Sequence, residues 1–140
     1  EPYGATLGQA PFPVAYNGDI FGVDDLNALL DAYPATRHVM LGRGIVANPA
    51  LARMIRGGNP ATLGELEHFH DRLFGEYEAL MGADNAAARM KEWWSYAKCC
   101  FADPASVHLA VRGVCGQAEY MEAVERIFRT EALANDPRLR

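Results

Sequence analysis

Two short loops carry the residue types that hold a phosphate group. The first contains Asn17, Gly18 and Asp19, and the second contains Gly42 and Arg43. Each loop follows a short apolar run and precedes a segment that has the pattern of a helix. Glycine lets backbone N–H groups approach an anion, a helix N-terminus adds partial positive charge, and a guanidinium can bind phosphate in a bidentate way. Together the two loops predict one phosphate-binding site.

The segments around these loops predict two parallel strands joined by a helix. Apolar runs at residues 12–16 and 38–41 predict the strands, and a helix is expected over residues 25–33 with Asp24 as its N-cap. Strand, helix and strand at this spacing are typical of a parallel βαβ unit. Because TIM barrels build their phosphate site from the loops after strands 7 and 8, we expect an α/β unit equal to the last quarter of such a barrel.

A composition break divides the chain into two predicted domains. Asn48 and Pro49 predict the N-cap and first residue of the helix after the second loop, and this helix is expected to end at Arg56. A Gly-Gly-Asn-Pro run follows it directly. We therefore predict a barrel part over residues 1–58 and a helical part over residues 59–140.

The helical part contains signals for four helices joined by short links. Thr62 and Glu65 have the spacing of a capping box, and Gly82 is expected to end the first helix. These helices predict an all-α four-helix bundle and a chain that is predominantly helical. The second, third and fourth helices are expected to begin at Asp84 or Asn85, at Asp103 followed by Pro104, and at about Ala118.

Composition and charge limit the classes of protein to which this chain can belong. Half of the residues are hydrophobic, and 18 acidic against 13 basic residues give a net charge of −5, which does not indicate a general nucleic-acid binder. No apolar run approaches the roughly 20 residues of a membrane span.

The chain has three cysteines, an odd number, at positions that lack metal-ligand spacing: Cys99, Cys100 and Cys115. We therefore expect a reduced, cytoplasmic protein without a metal site. The cysteines themselves are expected to be core residues on the helices.

Three motifs together resemble one enzyme family. They are Asn-Gly-Asp-Ile at positions 17–20, Met-Leu-Gly-Arg-Gly at positions 40–44 with Asn48 and Pro49 after it, and Arg-Met-Lys-Glu-Trp-Trp-Ser-Tyr at positions 89–96. In this order they resemble the C-terminal part of the flavin-dependent tRNA-dihydrouridine synthases. The resemblance extends from about residue 12 to about residue 128.

The resemblance implies an enzyme that reduces uridine in tRNA to 5,6-dihydrouridine with FMN and NADPH. Asn17, Gly18, Asp19, Gly42 and Arg43 would hold the FMN phosphate. Because a carboxylate repels a phosphate, we expect Asp19 to offer its backbone N–H while its side chain turns toward a cation or caps the next helix. The family's catalytic cysteine lies in earlier barrel strands, so we expect no catalytic residue in this chain and no activity of the chain alone.

The resemblance also implies that the helical part binds tRNA. The candidate contacts are Arg89, Lys91, Trp94, Lys98 and Arg112. Lys91 and Lys98 are seven residues apart, on one face of a predicted helix, with Trp94 between them. A basic stripe with an aromatic ring can contact phosphate and a base. The alternative is a solvated helix face with Trp94 packed against another helix.

Two other functions fit the same motifs. One is another phosphate-binding TIM-barrel enzyme that uses FMN or a sugar phosphate, and the other is a non-catalytic helical RNA-binding module. In each case two strands alone leave unpaired edges. We therefore expect a piece of a larger fold, which covers those edges in a strand-swapped or homo-oligomeric association when it is isolated.

Overall fold

The computed structural model describes residues 2–137, which are predominantly helical with one short parallel sheet. The first half contains α1 (Pro2–Thr6), β1 (Ala15–Tyr16), α2 (Val23–Ala32), β2 (His38–Val39), α3 (Arg43–Ala47) and α4 (Leu51–Ile55). The second half contains α5 (Leu63–Met81), α6 (Ala83–Ala97), a 3-10 helix (Lys98–Cys100), α7 (Pro104–Arg112) and α8 (Gly116–Thr130).

The two strands pair in parallel, as the sequence predicts. Ala15 lies opposite His38 and Tyr16 opposite Val39, and the N–H of Met40 donates to the carbonyl of Tyr16 at 2.8 Å. Each strand has only two residues, fewer than the predicted runs. Among the described residues, each strand has a neighbour on one side only.

Helix α2 begins earlier than predicted and has a different cap. Its N-cap is Gly22, so the expected cap at Asp24 is wrong. The carboxylate of Asp25 instead accepts hydrogen bonds from the N–H groups of Phe21 (2.9 Å) and Gly22 (2.8 Å). An acidic side chain at the third helical position can reach back to these N–H groups, as the glutamate of a capping box does.

The second loop turns directly into a helix that the sequence pattern did not predict. Gly42 is the N-cap and Arg43 the first residue of α3. The helix expected from Pro49 starts later, at α4, with Ala50 as its N-cap. Asn48 still shapes this junction, because its side-chain Oδ1 accepts a hydrogen bond from the N–H of Ala50 at 3.1 Å.

Two of the predicted helix starts are confirmed in the second half. Thr62 and Glu65 form the expected capping box, with hydrogen bonds of 3.2 and 2.8 Å between each side chain and the other's backbone N–H. Asp103 accepts two backbone N–H bonds at the start of α7. Gly82 ends α5 as expected, with a φ of +82° that favours glycine.

The predicted caps of α6 are wrong, since Gly82 also serves as the N-cap of that helix. The carboxylate of Asp84 instead accepts from the N–H of Gln117 at 2.9 Å, and so connects the starts of α6 and α8. Asn85 donates to the carbonyl of Met81 at 2.9 Å. Both side chains therefore join neighbouring elements instead of capping their own.

The main hydrophobic core lies among α5, α6, α7 and α8. A C-terminal segment covers one end of it, because the N–H of Ala102 donates to the carbonyl of Ala132 and the N–H of Ala134 to that of Cys100, both at 2.8 Å. Helix α3 packs against α6 and the 3-10 helix. The core includes the fully buried side chains of Met90, Trp94, Phe101, Val107, Val111, Tyr120 and Ile127.

Candidate phosphate site and candidate nucleic-acid interface

The two glycine-containing loops meet at one edge of the sheet and enclose a small cavity of about 180 Å³. Because the strands are parallel and in register, their carboxyl ends and the loops that follow lie side by side. All five candidate cofactor residues line the cavity, together with Phe21 and Gly44. The five are Asn17, Gly18, Asp19, Gly42 and Arg43.

Arg43 is oriented by two neighbours from the first loop. Its Nη2 donates to Oδ1 of Asp19, and its guanidinium carbon lies 5.9 Å from the centre of the Phe21 ring. The carboxylate of Asp19 thus turns toward a cation, as expected. Both charged side chains are 62% exposed. Because a guanidinium has five N–H donors, the ion pair leaves donors on Arg43 for an anion.

Gly44 joins the two loops, a role that the sequence analysis missed. A Cβ at this position would lie 2.0 Å from the carbonyl oxygen of Ile20, so any other residue would push α3 away from the first loop. Gly18 makes room for the Tyr16 ring in the same way, since its Cβ would lie 2.2 Å from the Tyr16 hydroxyl. At Gly42 a Cβ would meet nothing within 4 Å.

The helix starts beside the cavity differ in electrostatics. At α2 the carboxylate of Asp25 already accepts the N–H groups of Phe21 and Gly22, and Asp24 adds a second negative charge. At α3 no side chain caps the helix, and its first turn holds no acidic residue. Of the two helix starts, that of α3 therefore repels an anion less, and the acidic group beside it, Asp19, is paired with Arg43.

The predicted RNA contact at Trp94 is wrong. Its side chain is fully buried, and its Nε1 donates to the Tyr120 hydroxyl at 2.9 Å. Lys91 is also engaged inside the protein, because its Nζ donates to the carbonyl of Val114 in the link between α7 and α8. The packed alternative for Trp94 is therefore the observed one, and α6 does not form the expected stripe of lysines around an exposed ring.

The other basic candidates remain accessible to differing degrees. Arg89 is exposed and pairs with Glu92, with 2.5 Å between Nη1 and Oε2. Arg112 is exposed at the end of α7, and Lys98 is half-buried at the start of the 3-10 helix. These three cations stay available to a polyanion.

Comparison with curated proteins identifies relatives for most of the chain. It is 32% identical to a tRNA-dihydrouridine(16) synthase of Ralstonia nicotianae over 122 residues, which cover 81% of this chain and 36% of the relative. The protein of the same name from Cupriavidus necator is 30% identical over an equal stretch, and that from Pseudomonas syringae pv. tomato is 33% identical over 87 residues. The chain belongs to the tRNA-dihydrouridine synthase family. It spans about a third of the length of these relatives, and no family model matches it.

The three cysteines of the chain form no disulfide. Cys99 and Cys100 are buried as expected, and both thiols lie near the carbonyl of Ala47, at 3.8 and 3.2 Å. A hydrogen bond with Cys99 and burial raise the pKa of the Cys100 thiol well above its usual range. Cys115 is exposed and stands just before α8, at its N-cap position, so the expectation of a core position on a helix is wrong for it.

The part of the chain that the structure describes, residues 2–137, holds no group of three or more His, Cys, Asp or Glu side chains that could bind a metal ion. None of its helices is long and apolar enough to cross a membrane.

Proposed function

We propose that this chain is the C-terminal part of an enzyme that reduces uridine in tRNA to 5,6-dihydrouridine. The observation that carries the proposal is the cavity in which both loops meet with Arg43 at its wall, in a chain related to tRNA-dihydrouridine(16) synthases. The complete enzyme would be an oxidoreductase that uses FMN, with NADPH as the reductant, and would work on tRNA in the cytoplasm.

In this proposal the two parts of the chain have separate roles. Residues 1–58 are the last strand–helix–strand–helix quarter of an FMN-binding TIM barrel, and residues 59–140 form a four-helix bundle that binds tRNA. The short parallel strands favour the interpretation that they belong to a larger sheet, because a two-stranded sheet leaves backbone donors and acceptors unpaired at its edges. In the isolated chain a second copy would cover those edges.

The residues around the cavity fit the phosphate of FMN. Arg43 would bind it with the guanidinium donors that Asp19 does not use, and Asn17, Gly18 and Gly42 would approach it through backbone or amide N–H groups. The start of α3 has no side-chain cap and no acidic residue in its first turn, which supports a phosphate position next to Arg43. Asp19 would hold Arg43 in position.

This chain would bind the cofactor and the RNA, and the general acid would come from elsewhere in the enzyme. FMN, when bound, would supply hydride to the uracil ring. The cysteines do not suit the acid, because Cys99 and Cys100 are buried in the helical core and Cys115 lies at the start of α8. Arg89, Lys98 and Arg112 would contact the tRNA backbone, and the net charge of −5 would confine that contact to a small surface.

The test is flavin binding by the protein expressed from the complete reading frame, with matched arginine variants. We expect absorption bands near roughly 370 and 450 nm, as is usual for a bound flavin. Arg43→Ala should weaken FMN binding by about tenfold or more, because a charge-assisted contact is lost. The control is Arg56→Ala, which changes another exposed arginine that does not line the cavity.

The outcomes separate the alternative functions. A colourless protein that gains no bands with added FMN would favour a sugar-phosphate enzyme. A flavoprotein that leaves uridine unchanged in an unmodified tRNA transcript would be a different FMN enzyme. An absence of barrel strands in the complete reading frame, together with tRNA binding, would favour a non-catalytic RNA-binding module.

A further inference from the structure

A second and larger cavity, of about 440 Å³, lies between α3 and the helices α5 and α6. Ile45 and Val46 of α3 form one side, and they follow directly after the residues that line the phosphate cavity. The other side is mainly aromatic. We name it the aromatic cleft, after its four rings, which belong to Phe69, Tyr77, Trp93 and Tyr96.

One residue in the wall of the aromatic cleft carries a buried polar group without a partner. Trp93 is 8% exposed, and its Nε1 is the one buried side-chain nitrogen or oxygen in the described part of the chain that lacks a hydrogen-bond partner. Burying such a donor without an acceptor is unfavourable, and native proteins rarely leave one unsatisfied. Because Nε1 is covered, an acceptor oxygen or nitrogen of a ligand in the cleft would satisfy it only when the indole ring shifts.

An ion pair at the wall of the cleft gives it a donor and an acceptor side by side. Arg89 and Glu92 pair with each other, and their side chains are 55% and 59% exposed. The pair presents N–H donors and acceptor oxygens next to each other, so it matches a ligand whose edge carries both hydrogen-bond donors and acceptors.

We propose that the aromatic cleft binds an unpaired base of the tRNA substrate. A nucleobase is planar, stacks on aromatic side chains and carries donors and acceptors along its edge, and proteins read single-stranded RNA in this way. The cavity volume lies within the range of small-molecule sites. The assignment of the ligand to tRNA rests on the proposed function, whereas the site is separate from the phosphate cavity.

The affinity test uses the protein from the complete reading frame and an unmodified tRNA transcript labelled for fluorescence anisotropy. Phe69→Ala should raise the Kd for tRNA by about tenfold, the loss expected for one stacking ring. The matched control is Leu80→Ala, because Leu80 is on the same helix, is 78% exposed and does not line the cleft. The milder variant Phe69→Leu keeps the apolar volume and should weaken binding in the same direction.

A second readout follows the indole ring. Because Nε1 of Trp93 is covered in the free protein, we expect a bound base to shift this ring and change the tryptophan fluorescence. Trp93→Phe should remove that change even though Trp94 remains. A titration with uridine 5′-monophosphate, which has a base but no tRNA fold, should produce the same fluorescence change at higher concentration.

The outcomes distinguish this proposal from the proposed function. FMN binding should be unchanged in the Phe69 variants, since the phosphate cavity does not include that residue. Wild-type tRNA affinity in both Phe69 variants would overturn the cleft proposal and leave the flavin assignment intact. A lower melting temperature with unchanged tRNA affinity would also overturn it, and would leave Phe69 with only a packing role beside Trp93.

Discussion

The guanidinium of Arg53 donates two parallel hydrogen bonds to the carboxylate of Glu65, at 2.7 Å from Nη1 to Oε1 and 3.0 Å from Nη2 to Oε2. The same group also donates to the carbonyls of Asn59 (2.9 Å) and Pro60 (3.1 Å). Arg53 thereby ties α4 to the start of α5 across the segment where the sequence predicts a domain boundary. Both side chains are about half exposed, so the ion pair itself adds little to the free energy of unfolding. Its main effect is to fix the path of the chain between α4 and α5.

The pairing with Arg53 and the hydrogen bond from the N–H of Thr62 lower the pKa of Glu65 to about 2. A carboxyl with a lowered folded-state pKa stabilises the fold above its unfolded-state pKa, and this contribution is lost as the pH falls. We therefore expect the melting temperature to fall between about pH 4.5 and about pH 2, the two pKa values of Glu65. Thermal scans of Glu65→Gln should lack this component, whereas the exposed control Glu76→Gln should keep it. Parallel curves for wild type and Glu65→Gln would contradict the prediction.

Gly44 and Gly42 give a matched pair of substitutions in the phosphate cavity. Gly44→Ala would bring a methyl group against the Ile20 carbonyl, and we expect it to reduce the free energy of unfolding by about 2 kcal/mol through overpacking. Gly42→Ala meets no atom within 4 Å and should keep the wild-type stability while weakening FMN binding. Urea unfolding and flavin titration of both variants provide the check. Equal stability of the two variants would refute the close approach of the loops.

Tyr120 joins two other buried polar groups at the centre of the helical core. Its hydroxyl accepts from Nε1 of Trp94 at 2.9 Å and lies 2.6 Å from Nε2 of His70. Because the Asp71 carboxylate beside Nδ1 can only accept, neutral His70 carries its ring proton on Nδ1, and Nε2 accepts from the Tyr120 hydroxyl. Burial raises the pKa of Tyr120, so the hydroxyl keeps its proton. Tyr120→Phe would leave two buried groups without a partner.

We expect Tyr120→Phe to lower the free energy of unfolding by about 3 kcal/mol, since each unsatisfied buried group costs roughly 1–3 kcal/mol. Urea denaturation followed by circular dichroism would measure the loss. Tyr77→Phe is the matched control, because Tyr77 is only half-buried and is not part of this hydrogen-bond network. A loss of similar size in the control would argue against a special role for the network.

Features with a local cause were predictable from the sequence. The capping box of Thr62 and Glu65 and the cap at Asp103 depend on residues two or three positions apart, and the structure has them as predicted. The parallel pairing followed from the apolar runs and the helix between them. Helix α3 was missed because five residues give no helical period, and its start depends on the fit of Gly44 against Ile20.

Features that depend on distant residues were not predictable in this way. Trp93 and Trp94 are adjacent on α6 and both belong to the core, and the hydroxyl that accepts from Trp94 there is that of Tyr120, 26 residues later. The sequence pattern predicts an exposed Lys91 that could contact RNA. In the structure its ammonium donates to the carbonyl of Val114, 23 residues away. Arg53 had the pattern of an ordinary surface arginine, since its partners lie beyond the end of its own helix.

His70 should make the stability of the protein depend on pH near neutrality. Burial lowers its pKa below the usual 6.5, although Asp71 and Glu67 act in the opposite direction. Below about pH 6.5 the unfolded chain binds a proton on this ring that the folded protein does not, so stability is present above that pH and is lost as the pH falls toward the folded-state pKa.

Urea unfolding at about pH 7.5 and about pH 5.5 should therefore give a smaller free energy at the lower pH, by an amount set by the pKa difference. NMR titration of the imidazole signals should give His70 a pKa below 6.5. His68→Gln, which changes an exposed histidine two residues earlier, should keep the pH dependence. His70→Gln should lower stability at neutral pH and remove this component, because the group that takes up the proton is gone. A His70 ring that titrates above 6.5 would mean that the carboxylates outweigh burial, and stability would then rise on acidification through that range.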